Sequence, residues 1–493
     1  MGIIYNGAGV RNNISDPYNH YNGAIGIEVR GQSSQSFPMK SYSIELRDAL
    51  GNSQDLSMLD MPKESDWVLY APFTDKTLMR NVLAYHLSRS LGHWAARTRF
   101  VELIVNNDYK GVYVFEEKIK RVNARVGVTK MSASDVSGDA VTGGYIFSLD
   151  KQPNGWFSKY ATPNSSNGAK RQFSYIYPKP GDIATQQMAY IESAVDKFES
   201  SLAADNFQDP YNGVRKYADI PSFIDYLIVN EVSRNVDGYR LSTYLHKDRD
   251  SKNPRIIAGP VWDYDLAFRN ADYCSGSNVE GWAYMFNYVC PGDGAGLIPF
   301  WWQRFMQQDT AFQAALYCRW KEVRKTLLSN DRLFAVIDSA VNVVNEAKTR
   351  HFQRWPILGT YVWPNPQPIA GSYPQEIEYL KSWLNSRLYW LDNNMPNTGT
   401  CYDYPKDIPQ NILVTIAPNP MPNTGIMQVA SRSAQTLDFS VTDMMGRQIM
   451  RQRVLLNPGL NNIRLDAFKW ARGVYFIQMV TNNGDKVARR IVH

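Results

Sequence analysis

Hydrophobic and polar residues follow two different periods along this chain, and the changes of period divide it into parts. Over 22–48, two alternating runs, AIGIEVRG and MKSYSIELRD, predict strands on either side of the loop QSSQSFP. The segment 65–92, SDWVLYAPFTDKTLMRNVLAYHLSRSLG, predicts a strand and then a helix. Leu78, Val82, Tyr85, Leu87 and Leu91 form that helix's apolar stripe, Asp75 fits as its N-cap and Gly92 ends it. RFVELIVNNDYKGVYVFEEKI predicts a hairpin turning at Asn106-Asn107-Asp108. A strand over 143–151, GGYIFSLDK, precedes a loop rich in Asn, Ser and Gly and an amphipathic helix over 184–202. After Gly296 the apolar spacing becomes three-four in three successive segments, which predicts a helical half with core-facing stripes. From 411 onward the chain alternates in period two, with turn signals at NPMPNTG, MMGR, NPG and NNGD. That pattern predicts a small antiparallel β-sandwich. Between the two parts, PNTGTCYDYPKDIPQN reads as linker. The expected organisation is α+β over 1–395, a linker at 396–410 and the sandwich at 411–493.

Composition narrows the function classes. A chain of 493 residues exceeds one core, so two domains are expected. Net charge is +6, and no Lys/Arg run has the density of a nucleic-acid surface, so a nucleic-acid partner is not expected. No apolar stretch reaches the roughly 18 residues of a membrane span. The N-terminus carries no basic and apolar leader, so either the protein is cytoplasmic or a signal peptide lies outside this sequence. The four cysteines, at 274, 290, 318 and 401, form no C-x-x-C pair, which disfavours zinc. Cys274 and Cys290 bracket a loop that a disulfide would close; reduced structural cysteines are the alternative.

The chemistry concentrates between 225 and 268. A helix-like run delivers Arg234, Asn235 and Asp237 ahead of Gly238, and the apolar AGPVW then leads into Trp262-Asp263-Tyr264-Asp265. Carboxylates two apart after a strand can share one hard cation, and a separate Asp upstream can orient a hydroxyl nucleophile. The plainer reading makes Asp237 a turn residue and the acids helix caps. Arg30 and Lys40 flank the small residues Ser33 and Ser34, an arrangement in which backbone amides and two cations would meet a phosphate. An ordinary hairpin with solvated cations is the alternative. Arg80 in a first helical turn opposes the helix dipole, so it needs a partner, either a core acid or a ligand phosphate. Glu116 and Glu117 end a strand, so one of them points inward, where pairing with Lys40 or Arg80 is the simplest use.

In order, RGQSSQSFPMKSYSIEL, SDWVLYAPFTDKTLMRN, FVELIVNNDYKGVYVFEEKI, NEVSRNVDGYRLSTYLHKD and GPVWDYDLAF resemble the successive blocks of the CotH kinase family, over about 22–395. The tail, with APNP at 417–420, VTDMMGRQI and GVYFIQM, resembles the type A sorting domain of type IX secretion substrates. The first resemblance implies a reduced atypical protein-kinase-like fold that binds ATP and Mg2+ and phosphorylates Ser or Thr of a protein. Carried over, it makes Asp237 the catalytic acid and one of Asp263 and Asp265 the magnesium-holding acid, with Asp263 favoured and Asp265 assisting; Asn235 is either a ligand of a second magnesium or structural. It makes Lys40 the phosphate-binding lysine and Glu116 or Glu117 its ion-pair partner, with Arg30, Ser33, Ser34 and Arg80 near the nucleotide. Met39 stands where relatives often carry a second basic residue. The tail resemblance implies an immunoglobulin-like sandwich read by the secretion machinery, and a secreted or surface location. An oxidising location favours the Cys274–Cys290 bridge over reduced cysteines without deciding between them. A catalytically silent surface adhesin is the main alternative function, and a polysaccharide hydrolase, suggested by paired acids and many aromatics, is a third.

Overall fold

A computed structural model describes residues 1–151, 153–209, 212–290, 296–396, 401, 412–431, 434–482, 484 and 486–493. Most of the linker assigned to 396–410 lies outside the described residues. The chain divides into two compact units. One comprises Met1–Glu199, Asp225–Gln303 and Val323–Asn394; the other comprises Ser200–Ile224, Arg304–Glu322 and Met395–His493.

The first unit is built on two antiparallel five-stranded sheets. One has the order Ile25–Arg30, Ser41–Leu46, Asp66–Tyr70, Asp108–Glu117, Thr98–Val105. Its hairpin turns where Val105 pairs with Asp108, and the two intervening asparagines adopt φ of 52° and 61°. Two consecutive left-handed residues are what a tight hairpin needs, and Asn tolerates them better than most. Trp67, Leu69, Tyr113 and Phe115 fill the buried face of this sheet. The helix Arg80–Ser90 follows its third strand. Its N-cap is Met79, which offers no side-chain cap. Asp75 acts from further back, accepting from the Arg80 amide at 2.7 Å and the Thr77 amide at 3.1 Å.

The second sheet has the order Phe157–Ala161, Lys170–Tyr177, Tyr145–Leu149, Thr243–Lys247, Ile257–Ala258. Two of these strands, Phe157–Ala161 and Lys170–Tyr177, fall in the stretch expected to be loop; the Asn/Ser/Gly segment is only the turn between them. The helix Ile220–Ser233 precedes the strand Thr243–Lys247. The helical half comprises Trp301–Gln308 and Thr310–Lys325, which run mostly in the second unit, and Asn330–Val343, Ala347–Arg354 and Tyr373–Asn394 in the first. Ser329 caps the third of these, its hydroxyl accepting from the Arg332 amide.

In the second unit, the tail forms two antiparallel sheets. Three strands, Ile412–Ala417, Thr424–Ser431 and Gly459–Asp466, make one. Four strands, Gln448–Leu456, Gln435–Asp443, Val474–Thr481 and Lys486–Val492, make the other. Met427, Val429 and Leu465 from the first share a core with Leu437, Phe439, Ile477 and Met479 from the second. Period-two alternation thus buries one face of each sheet.

Both cysteine pairs are joined, Cys274 to Cys290 and Cys318 to Cys401.

Candidate functional site

Three segment ends bring carboxylates together. Asp237 leaves the helix Ile220–Ser233, Asp263 and Asp265 follow the strand Ile257–Ala258, and Glu116 sits near the end of Asp108–Glu117. Local structure forces the first turn: a Cβ on Gly238 would collide with the Asn230 side-chain oxygen, so only glycine fits behind Asp237. The turn closes through Gly238 N to Asn235 O (3.0 Å) and Leu241 N to Asp237 O (2.9 Å). Asn235 ties the two acid-bearing segments to each other. Its Oδ1 accepts from the Asp237 amide at 3.2 Å, and its Nδ2 donates to the Asp263 carbonyl at 3.3 Å.

The helix Arg80–Ser90 holds the second segment by its backbone. The Tyr85 hydroxyl accepts from the Asp263 amide at 3.2 Å, and Asn81 Oδ1 accepts from the Tyr264 amide at 2.6 Å. Asn270 Nδ2 donates to the Asp265 carbonyl at 2.8 Å. Left-handed φ values recur here at non-glycine residues: Arg234 46°, Tyr239 67°, Asp263 63° and Phe268 49°. Such backbone costs roughly 1–3 kcal/mol per residue and persists only where the surroundings impose it. Below the turn, Glu231 is fully buried and accepts from the Ala283 and Tyr284 amides, the Tyr239 hydroxyl and the Arg387 guanidinium.

The electrostatics show that these acids feel one another. Burial raises Asp263 to about 6, with the Asp237 charge adding to the rise and Lys151 and Arg30 opposing it. Asp265 is raised well above the ordinary carboxylate range by burial, then by Asp263, Asp237 and Asp75. Burial also raises Asp237, while Lys151 and Arg240 favour its charged form. Glu116 is pushed up to about 8 by burial and by Asp263 and Asp265, against the pull of Arg30. Its Oε2 is buried without a hydrogen-bond partner. Asp263 and Asp265 nevertheless retain partial solvent contact, as a ligand site requires. Besides Arg240, 3.8 Å from Asp237 Oδ1, two cations face the acids. Lys151 Nζ lies 3.9 Å from Asp237 Oδ2 and 3.4 Å from Ser33 Oγ, and the Arg30 guanidinium lies 5.5 Å from the centre of the Trp262 ring.

Other residues singled out in the sequence stand elsewhere. Lys40 Nζ donates to the Gln35 carbonyl at 2.6 Å, within its own loop, and pairs with no acid among the described residues. Ser33 and Ser34 lie in the single turn Ser33–Ser36 of that loop. Arg80 has a core acid as partner rather than an open face. It is buried against Asp75 and donates through Nε to the Phe268 carbonyl at 3.3 Å. Glu117 points to the opposite side of its strand from Glu116, as alternation dictates. Its partners are Arg97 at 2.8 Å and Arg125 at 3.7 Å, not Lys40 or Arg80. Sequence reasoning missed Lys151, Tyr85, Asn81 and the Glu231–Arg387 pair. Only Lys151 left a signal, as the residue after a strand-ending acid.

A model of the family described as CotH kinase protein matches residues 27–391. The chain belongs to this family. A second model, the secretion system C-terminal sorting domain, matches residues 415–493. The chain is therefore a secreted or cell-surface protein handled by the type IX secretion machinery. Among the described residues no helix is long and apolar enough to cross a membrane. No curated protein matches this CotH-family chain. Two solved structures are similar over short stretches. Dimeric latent PorU from Porphyromonas gingivalis is 18% identical over 18% of this chain and 10% of its own, with a TM-score of 0.16. The beta-glucosidase from Listeria innocua in complex with glucose is 13% identical over 17% of this chain and 16% of its own, with a TM-score of 0.13. The chain spans far less than two thirds of either, and likenesses this slight carry no argument.

A divalent cation suits the donor chemistry. Oxygen-only carboxylates outnumber the cations facing them, and one acid oxygen is left without a partner. Among the described residues, however, no three His, Cys, Asp or Glu side chains are grouped closely enough to hold a metal alone.

Proposed function

We propose that this CotH-family chain is a secreted or surface atypical protein kinase that transfers the γ-phosphate of ATP to a Ser or Thr hydroxyl of a protein. The observation that carries the reading is the convergence of Asp237 with Asp263 and Asp265: Asn235 bonds to both acid-bearing segments, and the Asp237 charge adds to the raised pKa of both Asp263 and Asp265. Asp263 and Asp265 would hold Mg2+, with phosphate and water oxygens completing its shell, as magnesium usually has it. Bound there, Mg2+ would neutralise charge on the phosphate oxygens.

The chain's own residues do the rest by position and charge. Asp237 accepts the proton of the acceptor hydroxyl, and Lys151 and Arg240 favour the ionised form it needs. Lys151 and Arg30 are the cations that favour the charged form of Asp263, and they would face the phosphates. Lys40 would act through the 33–36 loop, whose carbonyl it holds. Asn235 fixes the spacing between acid and cation site rather than acting as a ligand. Glu116, neutral below about pH 8, can donate a hydrogen bond into the site while adding no negative charge.

The second reading, a catalytically silent surface module, is favoured by one observation, the lack of a closed three-acid metal cluster among the described residues. Incubation with γ-labelled ATP, Mg2+ and a mixed protein acceptor separates the two. The kinase reading expects label on Ser or Thr that is lost in Asp237→Asn and Asp263→Asn. Absence of transfer by the parent, or equal transfer by all three, favours the silent module.

A further inference from the structure

The acid-bearing turn is clasped by a second loop, and that loop is closed by a disulfide. Arg234 donates through Nε to the Ser275 carbonyl at 3.2 Å and through its terminal nitrogen to the Gly281 carbonyl. A Cβ on Gly276 would overlap the side chain of Val236, the residue before Asp237, so the Gly276 backbone packs directly on that side chain. Cys274 and Ser275 hold left-handed φ of 52° and 55°, backbone that non-glycine residues adopt only under constraint. Cys274–Cys290 supplies a constraint at that point. Between the bridge and the acid stands Arg240. Its guanidinium lies 3.8 Å from Asp237 Oδ1, 3.2 Å from Cys290 Sγ and 3.9 Å from Cys274 Sγ, and it donates to the Gly296 carbonyl at 3.1 Å. Tyr273, next to the bridge, has its pKa raised by burial and then by the nearby charges of Asp237 and Asp265.

We infer that the Cys274–Cys290 disulfide, with Arg240 as the positioning residue, sets the geometry of Asp237, so that the acid is in place only after the chain has been oxidised. This rests on the phosphotransfer reading for its consequence, but not for its structural content. In the oxidising step the two thiols lose two protons and two electrons and form one S–S bond. A disulfide-bearing oxidant takes up those electrons and protons and becomes two thiols. A secreted protein meets such oxidants on export. Activity is therefore tied to arrival outside the cytoplasm.

The test uses the full chain in three forms: the parent, Cys274→Ser/Cys290→Ser, and Cys318→Ser/Cys401→Ser as the control. Amide hydrogen exchange and phosphotransfer are measured on each, with far-ultraviolet circular dichroism to check folding. In the first double variant, exchange over 234–241 should rise while the strand Asp108–Glu117 keeps its protection. Turnover should fall about 10- to 100-fold, the cost of a misplaced catalytic group, with KM for ATP little changed. The control should behave as the parent. Mild reduction of the parent should reproduce the first variant's exchange pattern, and reoxidation with oxidised glutathione should reverse it, so a variant that fails to fold does not block the test. Arg240→Gln should lower turnover without altering KM, and Arg240→Lys should restore part of it. Unchanged exchange over 234–241 after reduction of Cys274–Cys290 would overturn the inference. So would an equal loss of turnover in the control. A parent without phosphotransfer whose 234–241 segment still loosens on reduction would instead reject the kinase reading and leave the positioning role standing.

Discussion

Removing the Arg387 side chain tests whether the acid-bearing turn depends on its buried support. Glu231 and Arg387 are both fully buried and paired at 3.0 Å. Glu231 also accepts from the Ala283 amide at 2.8 Å, the Tyr284 amide at 3.0 Å and the Tyr239 hydroxyl at 2.9 Å. Arg387 in turn donates to the Glu231, Val279 and Gly281 carbonyls. Arg387→Met fills much of the volume but leaves a buried carboxylate uncompensated, a change that costs about 3–5 kcal/mol. Burial already raises the Glu231 pKa and Arg387 opposes that rise, so the variant raises it further. Folded Glu231 then holds its proton more tightly than the unfolded chain does, so stability falls as pH climbs above the ordinary glutamate value of about 4.3. The deficit against the parent should be small at pH 5 and large at pH 8. Glu231→Gln/Arg387→Met removes the charge and should regain a large part of the loss. Urea unfolding followed by tryptophan fluorescence at the two pH values measures each variant. A deficit under about 1 kcal/mol at pH 8, or a double variant no better than the single, would refute the reasoning.

Glu116 titrates inside the site at about 8, so the parent should lose stability between about pH 4.5 and pH 8 as the folded protein keeps a proton the unfolded chain releases. Glu116→Gln should flatten that slope, seen in the urea midpoint without added cation; an unchanged slope would reject the burial argument. Lys151→Ala should weaken ATP binding by about tenfold, a loss of about 1.4 kcal/mol, while Lys40→Ala should weaken it less, measured by calorimetry with Mg2+. The reverse order would return the phosphate contact to Lys40.

Much of the scaffold is legible in the sequence, because burial of one face writes its period into the chain. The first-sheet strands, the hairpin at Asn106-Asn107 and the long helices all follow from it. The strands Phe157–Ala161 and Lys170–Tyr177 were obscured because their turn residues dominate the local composition. At the site, the acids Asp237, Asp263 and Asp265 are visible because polar residues at the ends of apolar runs are conspicuous. Which cation meets them is not. Arg80, Lys40 and Lys151 are equivalent in one dimension, and only the fold turns Arg80 onto Asp75 and Lys151 toward Asp237. The same holds for Glu116 and Glu117, since alternation says that they diverge but not which one faces the ligand side.

The most direct measurement is a crystal soaked with Mn2+ and a non-hydrolysable ATP analogue, with the metal located by its anomalous scattering. A single nucleotide-bound peak coordinated by the Asp263 or Asp265 carboxylate, with Asp237 facing the γ-phosphate, is the expected result. Metal and nucleotide bound away from these carboxylates, or no binding at concentrations that saturate ordinary kinases, would contradict it.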